Sequence, residues 1–152
     1  MLQLRQEYIA ASLEVPASMS HWDKVMDFIA DQAEVILSDQ STIYKLRLAC
    51  EEVFSNIMRE TSDEQQEGRE VSLWVTLFVM TESNPPMMVV RIEDNGPPFD
   101  PELSEDKNVN MEQPLSERKL GGLGLYLVKQ SAYAAEYYYQ GGRNTYCLSF
   151  KL

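Results

Sequence analysis

Residues 71–96 read VSLWVTLFVMTESNPPMMVVRIEDNG. From Val71 to Met80 the apolar side chains alternate as in a strand that buries one face, which puts Trp74 and Phe78 on the second face. Ser83-Asn84-Pro85-Pro86 is a turn signal, and Met87 to Glu93 resumes the strand character. Two strands joined by so short a turn are expected to pair antiparallel. The second one runs straight into Asp94-Asn95-Gly96, which delivers a carboxylate to the end of a sheet.

Working toward the C-terminus, residues 94–120 hold four prolines and many charges but almost no apolar periodicity. A stretch of that length inside a domain is expected to be functional or mobile. After Gly121-Gly122-Leu123-Gly124 the pattern turns helical to about Ala135. Glu136 to Tyr139, a Gly141-Gly142-Arg143-Asn144 turn, and alternating Tyr146, Leu148 and Phe150 read as a terminal hairpin. Ordinary sheet packing is the simpler reading of Tyr133, Tyr137, Tyr138 and Tyr139.

Toward the N-terminus, Ile9, Ala11, Leu13 and Val15 alternate up to Pro16 and predict a first strand. Trp22, Val25, Met26, Ile29, Ala33 and Ile36 have helical spacing within Ser18–Leu37, with Ser18 or Ser20 as cap. A second helix is predicted from about Thr42 to Arg59, with Ile43, Leu46, Cys50, Val53 and Ile57 on one face. Thr61 to Glu70 is polar and reads as a solvated loop. Without regular βαβ alternation, these elements predict an α+β, two-layer sandwich with helices covering one face of the sheet, built as a single domain over residues 1–152.

Composition narrows the function. With 13 basic and 24 acidic side chains the formal charge is −11, which repels a nucleic-acid backbone but still permits one nucleotide held locally. No apolar run is long enough to span a membrane, and the start of the chain lacks the build of a signal peptide, so a cytoplasmic protein is expected. Cys50 and Cys147 sit in apolar segments and read as buried, reduced thiols. With His21 as the single histidine, a zinc set is absent; His21 reads as a surface or capping residue.

Three groups of residues carry chemistry. Glu52 and Asn56 lie four residues apart on the second helix, at one margin of its apolar face. A carboxylate there can take a proton from an attacking hydroxyl, and an amide oxygen one turn on can ligate Mg²⁺. Asp94, held in the turn with Gly96, can accept from an exocyclic amine such as that of adenine, with Gly96 letting the backbone approach the ring. Gly121, Gly122 and Gly124 before a helix expose backbone amides that suit phosphate, with Arg118 and Lys119 alongside. This is neither a Walker loop nor a dinucleotide fingerprint.

The order of these groups resembles the N, G1 and G2 boxes of the GHKL superfamily of ATPases. Within it, Leu48-Ala49-Cys50-Glu51-Glu52-Val53-Phe54-Ser55-Asn56, Asp94-Asn95-Gly96-Pro97-Pro98-Phe99-Asp100-Pro101 and Gly121-Gly122-Leu123-Gly124-Leu125-Tyr126-Leu127-Val128 look like the anti-sigma-factor serine/threonine kinase branch. The ending Gly141-Gly142-Arg143-Asn144 does so too, and the resemblance runs from about Val15 to the C-terminus. It departs at Met58-Arg59-Glu60, where members often carry a histidine, and at Pro98, which replaces the second glycine of Asp-x-Gly-x-Gly.

The resemblance implies a Bergerat-type fold with a mixed, mostly antiparallel sheet and a mobile ATP lid at about 97–120. It implies ATP and Mg²⁺ as cofactors, with Asn56 coordinating the metal and Asp94 binding adenine. Gly96 would line the base pocket, Gly121, Gly122, Leu123 and Gly124 would form the phosphate-side box, and Glu52 would be the general base. A sigma factor and a small anti-sigma antagonist would be the partners, with a homodimer possible. The same boxes also allow a non-enzymatic interaction module whose ATP site is regulatory or decayed.

Overall fold

In the computed structural model, which describes residues 7–101 and 122–152, the longest helix begins where Asp39 caps it. Asp39 Oδ1 accepts from the Ser41 amide at 3.1 Å and Oδ2 from the Thr42 hydroxyl at 2.9 Å, covering one of the amides a helix start leaves unpaired. Helix α2 then spans Gln40–Glu60 and buries Ile43, Leu46, Ala49, Cys50, Val53, Phe54, Asn56 and Ile57. All of these but Asn56 suit a core, which makes Asn56 the informative member of the stripe.

A 3₁₀ turn at Met19–His21 leads into α1 (Trp22–Ile36), which buries Val25, Met26, Ile29 and Ala33. Ser18 caps no amide with its side chain; its hydroxyl lies 2.7 Å from His21 Nδ1. The Trp22 ring meets Phe54 of α2 edge-on, with centroids 4.6 Å apart. After α2 comes the short helix α3 (Ser62–Gln66) and, later in the chain, α4 (Gly122–Ser131), which packs beside α2.

The strands are β1 (Glu7–Pro16), β2 (Ser72–Met80), β3 (Met87–Asp94), β4 (Ala134–Gln140) and β5 (Arg143–Lys151). They form one sheet in the order β1-β2-β3-β5-β4, and every pair is antiparallel. Among the described residues the sheet is antiparallel throughout, the limiting case of the mostly antiparallel sheet expected. The two-layer α+β arrangement stands. In register, Leu73, Val75 and Leu77 of β2, Met88, Val90 and Ile92 of β3 and Tyr146, Leu148 and Phe150 of β5 share the face packed into the core with α1 and α2. Burying that many large side chains on one face supplies the main driving force for the layer packing.

The opposite face is half-buried and polar-aromatic. Arg143 lies over the Trp74 ring at 3.6 Å and Arg91 over Phe78 at 4.7 Å, and both pair with Glu93, at 3.4 and 3.0 Å. Cys147 sits on this face, 3.9 Å from the Tyr138 hydroxyl, so only Cys50 is fully buried; both are free thiols. Burial, with the charge of Glu51, pushes the Cys50 thiol up to about 12, which keeps it protonated and inert.

Three local expectations need correction. Residues 61–70 are not a simple loop: Thr61 is buried, α3 follows it, and the Gln65 amide donates to Thr61 Oγ1 at 3.1 Å and to the Ala17 carbonyl. The tertiary bond to Ala17 supports a helix that its own composition would not. The helix after the glycine box begins at Gly122, inside the box, and ends at Ser131, because Ala134 is already in β4. Finally, the terminal turn is only Gly141-Gly142, at φ +61° and +78°, the left-handed pair a two-residue hairpin needs. Arg143 and Asn144 belong to β5. Among the described residues no helix is long and apolar enough to cross a membrane.

Candidate nucleotide-binding site

At the end of β3 the core-facing row of the sheet turns polar. Asp94 and Asn144 are register partners across β3 and β5, and each is only 2% exposed. Asp94 Oδ1 accepts from the Gly96 amide at 2.9 Å and from Asn144 Nδ2 at 3.0 Å. Both donors converge on one oxygen, and among the described residues none engages Oδ2. A buried carboxylate with one oxygen fixed and the other available is suited to accept from a ligand amine. Burial pushes the Asp94 carboxyl above its ordinary value, and the bonds from Asn144 and Gly96 oppose that shift.

Asn144 does more than orient Asp94. Its Nδ2 also donates to the Pro97 carbonyl at 2.9 Å and reaches the Gly96 carbonyl at 3.4 Å, while its Oδ1 accepts from the Phe99 amide at 3.0 Å and from the Tyr137 hydroxyl. One amide side chain therefore ties residues 96–99 to the sheet. Those residues, expected as the start of a mobile segment, are anchored; residues 102–120 of the expected lid lie outside the described residues.

Gly96 is required by space as well as by any ligand. A Cβ there would stand 2.8 Å from Thr61 Cγ2 and 3.0 Å from Asp94 Oδ1. Thr61 in turn is fixed, its hydroxyl donating to the Ile57 carbonyl at 2.7 Å. The end of α2 and the turn after β3 are thus in direct contact.

A second polar chain joins α2 to the sheet. Asn56, 3% exposed, donates from Nδ2 to the Tyr146 hydroxyl at 3.4 Å, and the Tyr146 ring packs against Tyr137 with centroids 5.3 Å apart. Burial and the nearby Asp94 charge push the Tyr146 phenol up, so it stays a neutral hydroxyl. Tyr137 is raised too, chiefly by burial, and closes the circuit through its bond to Asn144. Asn56 and Asp94, separated widely in sequence, are brought into one network.

Asn56 Oδ1 accepts from Arg59 Nη2 at 2.8 Å. That oxygen is the only side-chain atom of Asn56 able to ligate a cation. Among the described residues no group of three histidine, cysteine, aspartate or glutamate side chains could hold a metal ion. In this structure the side-chain oxygen that would ligate a cation is held by the Arg59 guanidinium. Glu52 is half-buried one turn before Asn56 on the same side of α2.

Gly122, Leu123 and Gly124 form the first turn of α4, where helix amides lack intrahelical partners. Gly121, with Arg118 and Lys119, lies outside the described residues. Since α4 packs beside α2, the two helices share one layer.

Asn144, Tyr137, Tyr146, Thr61 and Arg59 were not among the site residues read from sequence. One signal pointed to Asn144: continuing the phase of Phe150, Leu148 and Tyr146 back by two residues lands on it. A polar residue at a core-facing position is uncommon unless it is bonded.

Residues 15–150 match the family model of the histidine kinase-like ATPase domain. A search of curated proteins returned no match.

Proposed function

The chain belongs to the histidine kinase-like ATPase family, and on that premise we propose that it binds ATP and acts as a protein serine/threonine kinase of the anti-sigma-factor type. Its substrate is then a small anti-sigma antagonist with an acceptor hydroxyl, and its regulatory target a sigma factor, as the resemblance to that kinase branch implies. The observation that carries the nucleotide reading is Asp94: buried, fixed through Oδ1 by Gly96 and Asn144, and with Oδ2 left for the adenine amine.

In the transfer step Glu52 accepts the proton of the acceptor hydroxyl as its oxygen bonds to the γ-phosphorus. The bond from that phosphorus to the bridging oxygen breaks, and ADP leaves with the electron pair. Positioning and charge stabilisation account for most of the rate in such reactions. The contribution of this chain is to hold the base through Asp94 and to hold Glu52 on a rigid, well-packed helix.

Glu52→Gln removes the proton acceptor while keeping shape and hydrogen-bonding capacity. It is expected to lower phosphoryl transfer to an antagonist protein by about 10²-fold or more, leaving ATP affinity within about threefold of the wild type. Calorimetry and a phosphoserine assay measure the two effects separately. Wild-type transfer rates in the variant would exclude Glu52 as the base. ATP binding by the wild type without any phosphoserine would exclude the kinase reading.

A second reading is favoured by Arg59. The guanidinium on Asn56 Oδ1 supports a reading in which nucleotide is bound without a metal-assisted step. A non-enzymatic interaction module whose conformation follows nucleotide occupancy would use the same pocket, and tight ATP binding with no turnover distinguishes it.

A further inference from the structure

We propose that Arg59 stands in for a divalent cation in this site, so that nucleotide binding is nearly independent of Mg²⁺. The inference rests on the nucleotide-binding reading given above. It starts from a single competition. Asn56 is buried, its Nδ2 is committed to the Tyr146 hydroxyl, and its Oδ1 is committed to Arg59 Nη2 at 2.8 Å. A cation at Asn56 has to take the oxygen that the guanidinium already holds, and the two positive groups cannot share it at close range without repulsion.

The geometry is well supported locally. Arg59 stands three residues after Asn56, the helical spacing that places two side chains side by side, so the bond costs little ordering. Its Nε also lies 3.8 Å from Glu60 Oε1, which turns the side chain along the helix end. Arg59 is 36% exposed at the side chain, so N–H groups beyond the one on Asn56 are open to a ligand. A planar guanidinium can bond to a carbonyl-type oxygen and a phosphate oxygen together, and it brings fixed positive charge into a chain of net charge −11. Neutralising phosphate charge is much of what a bound cation would otherwise supply. Among the described residues no group of three histidine, cysteine, aspartate or glutamate side chains could hold a metal ion by itself.

The test is calorimetric titration of ADP and ATP into the full chain, in MgCl₂ and in EDTA, for the wild type, Arg59→Met and Arg59→Lys. The wild-type dissociation constant is expected to change by less than about threefold between the two buffers. Arg59→Met frees Asn56 Oδ1 and removes the charge. It is expected to bind at least about tenfold more weakly in EDTA, with much of that loss recovered in MgCl₂. Arg59→Lys keeps the charge and is expected to restore binding in EDTA toward the wild-type value. Circular dichroism confirms that each variant is folded.

Wild-type binding that requires Mg²⁺, with Arg59→Met behaving identically, would overturn this inference and leave the nucleotide-binding reading intact. Absence of binding by the wild type in both buffers would overturn both.

Discussion

Asp94→Asn is expected to abolish adenine-nucleotide binding and, in the same molecule, to raise the melting temperature. The two effects have one cause. Asp94 is a carboxylate held at 2% exposure, and burial raises its pKa against the opposing bonds from Asn144 and Gly96. Its ionised form therefore carries a cost in the folded state that the unfolded chain does not bear. Both existing donors converge on Oδ1, so the asparagine oxygen takes that place and keeps both bonds. Its amide nitrogen then occupies the Oδ2 position and turns a donor toward the adenine amine, donor against donor. The loss in affinity should be about 100-fold or more, or roughly 3 kcal/mol.

The stability gain has a definite pH dependence. Between the ordinary aspartate value of about 4 and the raised folded value, the native state binds more protons than the unfolded state. Wild-type stability from this group accordingly falls as pH rises through that window and stays lower above it. The advantage of asparagine should be full above the raised folded value and should shrink as pH falls toward 4. Thermal melts of both proteins across that range measure it. A variant less stable than the wild type at neutral pH would contradict the assignment of Asp94 as a site residue held at the expense of stability.

Asn144→Ala is expected to have the opposite effect on stability. It removes one donor from Asp94 Oδ1 and leaves the Pro97 carbonyl, the Phe99 amide and the Tyr137 hydroxyl without their partner. At about 1 kcal/mol for the buried bond to Asp94 and about 0.5–1 kcal/mol for each of the three part-buried groups, the total is about 3 kcal/mol. For a chain of this size that is a fall of roughly 6–12 °C in melting temperature. Nucleotide binding should weaken as well, because residues 96–99 lose their tie to β5. Melting at the wild-type temperature would show that Asn144 does not organise the turn.

The sheet was legible where alternation and turn chemistry agreed. Val71–Met80 and Met87–Glu93 predict the β2–β3 pair to within a residue at each end, and the apolar spacing of α1 and α2 places their buried faces correctly. Asn56 and Asp94 were legible because each is polar at an otherwise apolar or strand-end position. Other features were hidden for physical reasons. Helix α3 depends on Gln65 reaching Ala17, a contact invisible in its local sequence. Asn144 follows two glycines and reads as part of their turn, although the chain is already extended there. Arg59 looks like any solvated arginine near a helix end until its partner is known.

The same comparison sorts the three boxes that first suggested an ATP site. Two of them, around Asn56 and Asp94, are joined through Tyr146, Tyr137 and Asn144. The third is present in part, as the first turn of α4 beside α2. Glu52 rests on its place on α2, one turn from Asn56, so catalysis is a further step from the geometry than binding is.

The central claim is that Asp94 makes this a pocket for adenine, and competition between bases tests it most directly. Adenine presents an amine donor at the position where guanine presents a carbonyl acceptor. A carboxylate oxygen accepts from the first and repels the second. Titrated by calorimetry, the wild-type chain should bind ATP and should bind GTP at least about tenfold more weakly. Equal affinity for the two nucleotides, or no binding of ATP, would contradict the account.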